Sequence, residues 1–208
     1  PAGLKVTWNF SGTAPEGGWL LMYSLDGSES QEVITCTGAE ATIEQRIPRA
    51  TYDLTIKAAD GSPVFGGIEQ YTCPAAENLN ANGAKTESIT MNLLTTPETE
   101  DWTHKDVSED DFITAFPVNA KASVLLTNSE KMSYPNTATE ILYVIRTAEG
   151  KVVPQLLRTV TTPWNTIWKN KNCTLDIPVM PSETGDYTLE IYFNGALAAT
   201  KDFKVTAG

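Results

Sequence analysis

Apolar and polar residues alternate along two stretches of the N-terminal half, residues 4–10 and 52–58. The apolar positions are Leu4, Val6, Trp8 and Phe10 in the first stretch, and Tyr52, Leu54, Ile56 and Ala58 in the second. Successive side chains of a strand point to opposite faces, so this period of two predicts strands with one buried face. We interpret Trp8 and Trp19 as core residues, because large aromatic side chains dominate the interior of packed sheets.

Four more apolar runs in this half predict strands. They are Trp19–Leu25, Gln31–Cys36, Ala41–Ile47 and Thr86–Leu93. Between Cys73 and Lys85 the sequence is rich in Ala, Asn and Glu and has no clear period. For this segment a long loop and one short helix both stay open.

The C-terminal half shows the same kind of pattern. Its predicted strands are Ala122–Thr127, Glu140–Thr147, Lys151–Val160, Thr166–Val179 with at least one break, and two closing strands. Glu149-Gly150 lies between two of the apolar runs and predicts a hairpin turn. In the first closing strand, Asp186–Phe193, four apolar residues share one face and the polar residues, Glu190 among them, take the other.

The last hairpin allows a prediction of register. If Asn194-Gly195 were the whole loop, Phe193 would pair with Ala196, and the large apolar residues of the final strand would point to solvent. We therefore predict a three-residue loop, or an equivalent bulge, because either one keeps these residues inside. An observed pair between Phe193 and Ala196 would contradict this prediction.

An acidic, polar stretch divides the chain into halves of similar size. Residues 95–111 carry almost no apolar periodicity, which is typical of a boundary between domains. The chain also contains 28 Thr residues, and β-branched side chains favour strands. The predicted fold class is therefore all-β, with two tandem immunoglobulin-like β-sandwich domains. We expect an N-terminal sandwich over 1–95, an acidic linker over 96–111 and a C-terminal sandwich over 112–208.

Two segments resemble modules of exported bacterial surface proteins. Gly185–Gly195, followed by Phe203-Lys204-Val205, resembles the final two strands of bacterial immunoglobulin-like modules. Residues 4–10 and 50–58 are similar to strands of fibronectin type III and related sandwiches. A short echo between Tyr52-x-Leu54-x-Ile56 and Tyr187-x-Leu189-x-Ile191 favours similar folds in the two halves. The resemblance implies a secreted or cell-surface setting, often with a lipid anchor, and transfers no catalytic residue.

Charge and hydropathy exclude several classes of partner. The formal net charge is −11, so the surface repels nucleic acid and anionic lipid headgroups. The longest apolar runs have five residues, whereas a membrane-spanning helix needs about 20. The first residues show no basic start followed by an apolar stretch, so we expect any export signal to have been removed before residue 1.

The three cysteines carry no metal-binding signature. Cys36, Cys73 and Cys173 form no Cys-x-x-Cys pair and have no neighbouring His, which argues against structural zinc. Two interpretations stay open. The cysteines are buried free thiols, or Cys36 and Cys73 form a disulfide that contributes about 3 to 4 kcal/mol.

Catalytic chemistry has little to build on in this sequence. His104, the only histidine, lies in the acidic stretch, where a catalytic base would not be held rigidly. Phosphate-binding glycine loops and His-Glu-x-x-His are absent from the sequence. Residues 106–111 contain several acids but lack the spacing of a calcium loop, so we interpret them as a solvated spacer. We predict no catalytic residue, no metal site and no cofactor.

Trp164 and Trp168 are the candidate ligand-binding residues. They share a strand parity and lie among Asn and Thr, an arrangement that can stack on a sugar ring and hydrogen-bond to it. The competing interpretation is one core tryptophan with a partly exposed neighbour.

Together these observations predict a non-catalytic binding, adhesion or spacer module of a bacterial surface or secreted protein. Its partner would be a protein or glycan at the cell surface, and the chain would be a monomer. The alternatives are a carbohydrate-binding module that uses exposed aromatic residues, or an accessory domain of a glycan-processing enzyme.

Overall fold

The computed structural model of the chain describes residues 3–65, 67–74, 89–94, 109–128, 138–163, 173–177, 179–193 and 195–208. These residues contain no α-helix, and all but one of their strand pairs are antiparallel. The all-β class is therefore confirmed. The chain divides into two compact units, Pro1–Pro74 and Ala75–Gly208. In the described ranges, no helix is long and apolar enough to cross a bilayer.

The N-terminal unit contains a two-stranded sheet and a four-stranded sheet. Its strands are β1 (Leu4–Thr7), β2 (Trp19–Leu25), β3 (Glu32–Cys36), β4 (Glu40–Ile43), β5 (Thr51–Ala58) and β6 (Glu69–Thr72). β1 pairs with β4, and the larger sheet has the order β3-β2-β5-β6. The buried side chains of β1 and β4, such as Leu4 and Ile43, and of β2, such as Leu21, form its interior. β6 has no apolar periodicity and was not predicted.

Tyr52 anchors the N-terminal unit at the start of β5. Its hydroxyl donates to the Gln45 carbonyl at 2.8 Å and accepts from the Ile47 amide at 3.1 Å. Burial raises the pKa of Tyr52 above its usual value, so the phenol stays protonated and keeps this geometry. A tyrosine near the start of a late strand that bonds back to upstream backbone is the tyrosine corner of immunoglobulin-like sandwiches.

The C-terminal unit has a similar tyrosine. Tyr187 lies near the start of its strand, and its hydroxyl donates to the Glu183 carbonyl at 2.9 Å. The sequence echo between residues 52–56 and 187–191 therefore reflects one structural device in both units, a hydroxyl that ties a strand to the loop before it.

Replacing these tyrosines by Phe should have unequal effects. Tyr52→Phe leaves the buried Ile47 amide without this acceptor, so we expect a loss of about 2 kcal/mol in the free energy of unfolding. Tyr187→Phe removes one partly buried donor and should cost about 1 kcal/mol. Urea unfolding of both variants checks this order, and an equal or reversed loss would contradict the assignment.

The C-terminal unit is a sandwich of five strands against three. Its strands are β7 (Ile89–Leu94), β8 (Ala115–Pro117), β9 (Ala122–Asn128), β10 (Ala138–Thr147), β11 (Arg158–Pro163), β12 (Cys173–Ile177), β13 (Gly185–Phe193) and β14 (Ala196–Thr206). The sheets have the orders β11-β10-β13-β14-β8 and β12-β9-β7, and β8 runs parallel to β14. Alternate residues of both sheets, such as Leu93, Leu126, Tyr143 and Ile191, form one hydrophobic core.

The strand Ile89–Leu94 belongs to the C-terminal unit. The sequence placed it in an N-terminal domain that ended at residue 95, but β7 pairs with β9, for example Leu93 with Val124. After the acidic stretch the chain contacts β7 again. The Ile113 amide donates a hydrogen bond to the Leu93 carbonyl at 3.0 Å. The assignment of this strand was therefore wrong, and the predicted ranges 1–95, 96–111 and 112–208 stay a proposal.

The last hairpin shows how the chain corrects its register. Phe193 pairs with Ala196, so the predicted three-residue loop is wrong. The register then shifts, since Tyr192 pairs with Leu197 but Ile191 pairs with Ala199. This bulge leaves one extra residue in β14 and restores the pair between Tyr187 and Phe203, whose rings stack at 5.7 Å. A bulge was the alternative prediction, but it lies between Ile191 and Tyr192 and follows the pair of Phe193 with Ala196 that the prediction had excluded.

Several predicted bounds differ from the observed ones. The run Ala41–Ile47 is a strand only over Glu40–Ile43, and Lys151–Val160 contains a 3₁₀ turn, Pro154–Leu156, before β11 begins. The turn at Gly150 is present, since its amide donates to the Thr147 carbonyl at 2.9 Å. The undecided segment 73–85 lies outside the described residues beyond Pro74.

A charged pair is buried on the outer face of the five-stranded sheet. Arg146 of β10 and Glu190 of β13 are 5% and 3% exposed, and Arg146 Nε lies 2.5 Å from Glu190 Oε1. The Tyr192 hydroxyl donates to the same carboxylate oxygen at 2.8 Å, and an Arg146 Nη1 donates to the Gly150 carbonyl at 3.2 Å. The face opposite the core is thus desolvated at these positions, although the alternation assigned it the polar residues.

Candidate functional site

A cavity of about 520 Å³ lies at one end of the N-terminal unit. Its wall is formed by the segment that follows β1, together with the first residue of β2 and the residue before β4. The lining residues that carry the chemistry are Trp8, Asn9, Phe10, Ser11, Ala14 and Trp19. Loops at the ends of a rigid sandwich are where binding residues are commonly placed, and this volume falls in the range of ligand pockets.

The register of β1 carries Trp8 into this wall. Leu4 pairs with Ile43 and Val6 pairs with Ala41, and the ladder continues one step because the Trp8 amide donates to the Ala39 carbonyl at 3.2 Å. Trp8 therefore keeps the inward parity of the strand after the strand itself has ended. Trp8 is only half-buried at this point. The interpretation of Trp8 as a core residue therefore gave the correct face of the strand but overestimated the burial of the side chain.

Gly18 determines where Trp19 begins β2. Its φ is +89°, and a Cβ at this position would lie 2.1 Å from the Cys36 carbonyl oxygen. Its amide donates to the Pro15 carbonyl, and its carbonyl accepts from the Ala59 amide, each at 3.0 Å. The turn thus sets Trp19, which is 5% exposed, opposite Cys36 and Ala58. The prediction of Trp19 as a core residue is confirmed.

The aromatic rings of the cavity are inclined steeply to one another. The centroids of Trp8 and Trp19 are 5.9 Å apart at 72°, and those of Phe10 and Trp19 are 5.9 Å apart at 77°. Phe65 extends the cluster from the segment before β6, with its ring 6.2 Å from Phe10. The rings therefore form walls that meet at an angle, and edge-to-face packing stabilises each pair by about 1 kcal/mol.

Both indole nitrogens of the cluster lack an acceptor. Nε1 of Trp8 and Nε1 of Trp19 are enclosed, and neither has a hydrogen-bond partner among the described residues. An unsatisfied buried donor costs about 1 to 3 kcal/mol, and such groups are rare in folded proteins. Both occur in residues that contact each other and line the same cavity.

The lining of the cavity is uncharged. Its side chains are aromatic, small or neutral and polar, with Asn9 and Ser11 as the polar members. They offer no group with a pKa suited to acid–base or nucleophilic catalysis. The arrangement can bind a neutral ligand that has both an apolar surface and hydrogen-bonding oxygens.

None of the residues that line this cavity was a candidate site residue in the sequence. Trp164 and Trp168 are outside the described residues, so their role stays a prediction, and His104 is outside them as well. Of the acidic stretch, Glu109–Asp111 forms an exposed 3₁₀ turn. Across the ranges that are described, no group of three or more His, Cys, Asp or Glu side chains is placed to hold a metal ion.

Cys36 and Cys73 are buried free thiols, and the disulfide considered between them is wrong. The Cys36 thiol donates to the Ile34 carbonyl at 3.4 Å. Burial raises the pKa of both thiols, and the neighbouring Arg46 offsets only part of this rise at Cys73. Because the thiolate is the reactive form, both residues are poor nucleophiles at neutral pH.

We expect iodoacetamide to leave Cys36 and Cys73 of the native protein unmodified and to alkylate both after unfolding in guanidinium chloride. The raised pKa values and the burial act in the same direction, so mild alkalinity should accelerate native labelling only slightly. Peptide-resolved mass spectrometry checks each residue separately. Rapid native labelling, or a peptide pair linked through these residues, would contradict the assignment.

The sequence analysis missed the cavity because an alternating pattern indicates which face of a strand a side chain occupies, but not how deeply that side chain is buried. Trp8 and Phe10 had the inward parity, and Trp19 began an apolar run. A usable signal was present in the density of aromatic residues around Asn9, Ser11 and Gly12, where the strand pattern gives way to a glycine-rich segment.

The sequence matches no protein-family model and no curated protein. Among solved structures, dimeric latent PorU from Porphyromonas gingivalis is similar over 98% of this chain, with 12% identity and a TM-score of 0.35. The FN1–FN3 domains of chicken CNTN1 are similar over 90%, with 12% identity and a TM-score of 0.27. The fibronectin(III)-like modules of Clostridium thermocellum CbhA are similar over 99%, with 9% identity and a TM-score of 0.25.

This chain spans 18% of the PorU chain, 55% of the CNTN1 chain and 86% of the CbhA chain. Fibronectin(III)-like modules are among these neighbours. At these TM-scores the likeness says nothing about the ligand or the activity of this chain.

Proposed function

We propose that this chain is a non-catalytic binding module of an exported bacterial surface protein, and that the cavity between Trp8, Phe10 and Trp19 holds its ligand. The observation that carries the proposal is the pair of enclosed indole N–H groups without acceptors in two residues that line that cavity. The uncharged lining supports binding without chemical conversion. The resemblance of residues 185–205 to modules of exported surface proteins supports the setting, with a lipid anchor as one mode of attachment.

The C-terminal unit carries no part of the proposed site. Its core is filled by apolar residues of both sheets, and β10, β13 and β14 are joined by long ladders. The net charge of −11 disfavours nucleic acid and anionic membrane surfaces as partners. A neutral protein segment or glycan at the cell surface fits the cavity better.

Two tryptophan substitutions in one loop test the proposal. Ala14 is exposed and lines the cavity, whereas Thr13 is exposed beside it and does not. Ala14→Trp should therefore fill the cavity without disturbing the core, and Thr13→Trp is the matched control. Saturation-transfer NMR with methyl glycosides, N-acetylphenylalaninamide and 1-hexanol provides the readout.

We expect at least one of these probes to bind the natural chain and Thr13→Trp equally, to lose binding to Ala14→Trp, and to be recovered unchanged. Circular dichroism should show the same fold in all three proteins. Absence of binding by every probe, or equal binding to Ala14→Trp, would refute the proposed site. Conversion of a probe would refute a purely binding role.

A further inference from the structure

We infer that the cavity beside Trp8 and Trp19 binds the end of a short neutral saccharide. This inference rests on the proposed function and adds the chemical class of the ligand. It also places saccharide binding at residues that the sequence assigned to the core, and not at Trp164 and Trp168.

The lining separates a saccharide from other neutral ligands. A carboxylate or phosphate would find no cation in the wall, and the negative net charge would repel it further. An acyl chain would cover Asn9, Ser11 and the indole N–H groups without bonding to them, and uncompensated burial of polar groups is unfavourable. A sugar ring has weakly positive C–H groups on its faces and hydroxyl oxygens around its edge, so it matches aromatic faces and polar groups together.

The indole N–H groups determine which ligand atoms are favoured beside Trp8 and Trp19. Trp8 and Trp19 carry enclosed N–H donors without acceptors, which an oxygen would satisfy if an indole turned toward the cavity and which a cation would not. Trp8 is the residue that can respond to a ligand, because it is half-buried while Trp19 is held by β2. A hydroxyl that accepts from Trp8 would satisfy a donor that has no partner in the free protein.

The angles between the aromatic rings favour binding of the end of a saccharide chain over binding of its middle. The rings of Trp8 and Phe10 are inclined to the ring of Trp19 by 72° and 77°, whereas an extended polysaccharide stacks along a flat row of rings. Inclined rings can contact one terminal sugar ring but offer no coplanar faces to the successive units of a chain. We therefore expect binding to terminal units and short saccharides, and weak retention by internal stretches of long polymers.

The test combines a glycan array with titration of the full chain by methyl glycosides and trisaccharides. Trp8→Ala should lower the affinity at least about tenfold, and Trp8→Phe, which keeps a ring but removes the N–H, should lower it about three- to tenfold. Thr13→Trp should leave it unchanged. Trp8→Phe removes no hydrogen bond from the free protein, so a change in its stability should come only from the loss of an unsatisfied donor and from the smaller ring.

A variant of the residues nominated from sequence, Trp164→Phe with Trp168→Phe, provides the opposing control. If it abolishes saccharide binding while Trp8→Ala retains it, the inference is overturned. If N-acetylphenylalaninamide or 1-hexanol binds in a manner sensitive to Ala14→Trp and no saccharide does, the proposed site stands and its saccharide ligand is refuted. If no probe binds, both fail. Strong retention on gels of a long neutral glucan, with no binding of short saccharides, would refute end recognition.

Discussion

Glu190→Gln is expected to lower the free energy of unfolding of the C-terminal unit by about 3 to 5 kcal/mol. The substitution keeps the shape of the side chain but removes the charge that faces Arg146 at 2.5 Å, and both residues are almost fully buried. A buried guanidinium would then lose its counter-charge, which is the costly half of such a pair. Tyr192 would also lose a charged acceptor.

Segment-resolved hydrogen exchange of β10 and β13, together with urea unfolding, measures this loss. The matched variant replaces both charged residues, Arg146→Met with Glu190→Leu, and should recover most of the stability, because an apolar pair avoids the desolvation of two charges. If Glu190→Gln is as stable as the natural chain, the pair is not desolvated as described. If the double variant is the least stable of the three proteins, the charged pair stabilises the unit more than an apolar pair of similar size would.

Gly18→Ala is expected to destabilise the N-terminal unit by about 3 kcal/mol and to disturb the cavity. The new Cβ would lie 2.1 Å from the Cys36 carbonyl oxygen, which is backbone and cannot move aside, at a residue whose φ of +89° is unfavourable for any L side chain. Relief of the contact requires the turn to separate from β3, and that movement displaces Trp19 from its place opposite Cys36.

Gly12→Ala is the control in the same loop. Its φ is +105°, but no atom lies within 4 Å of the position of its Cβ, so we expect a loss of about 1 kcal/mol from backbone strain alone. Thermal unfolding followed by near-ultraviolet circular dichroism compares the two variants. Equal losses would show that the close approach to Cys36 does not govern the turn.

Strands could be predicted from the sequence where alternate apolar residues are also the buried residues of the strand. The bounds of β2, Trp19–Leu25, were predicted without error, and β5 and β13 were predicted within one residue. β6 and β8 were missed, because Glu69–Thr72 is exposed throughout and Ala115–Pro117 is too short to show a period. These edge strands are held by main-chain hydrogen bonds to the neighbouring strands. Such bonds do not depend on the side chains, so the pattern of side chains does not predict them.

The candidate site shows the same limit. The inward parity of Trp8 and Phe10 followed from the alternation, but their position at the open end of the unit depends on where the ladder with β4 stops. The saccharide prediction for Trp164 and Trp168 rested on composition and parity. The cavity, in contrast, rests on the angle between rings that come from separate segments of the chain.

By itself the sequence determined the all-β class, the inward residues of most strands and the echo between residues 52–56 and 187–191. These features depend on contacts between near neighbours and on the free energy of burying every second side chain. Only the tertiary structure decided which unit β7 joins, where the bulge in β14 restores register, why Glu190 is buried, and that two tryptophans enclose a cavity. Each of these depends on a pairing between segments distant in the chain, and the same local pattern is compatible with several such pairings.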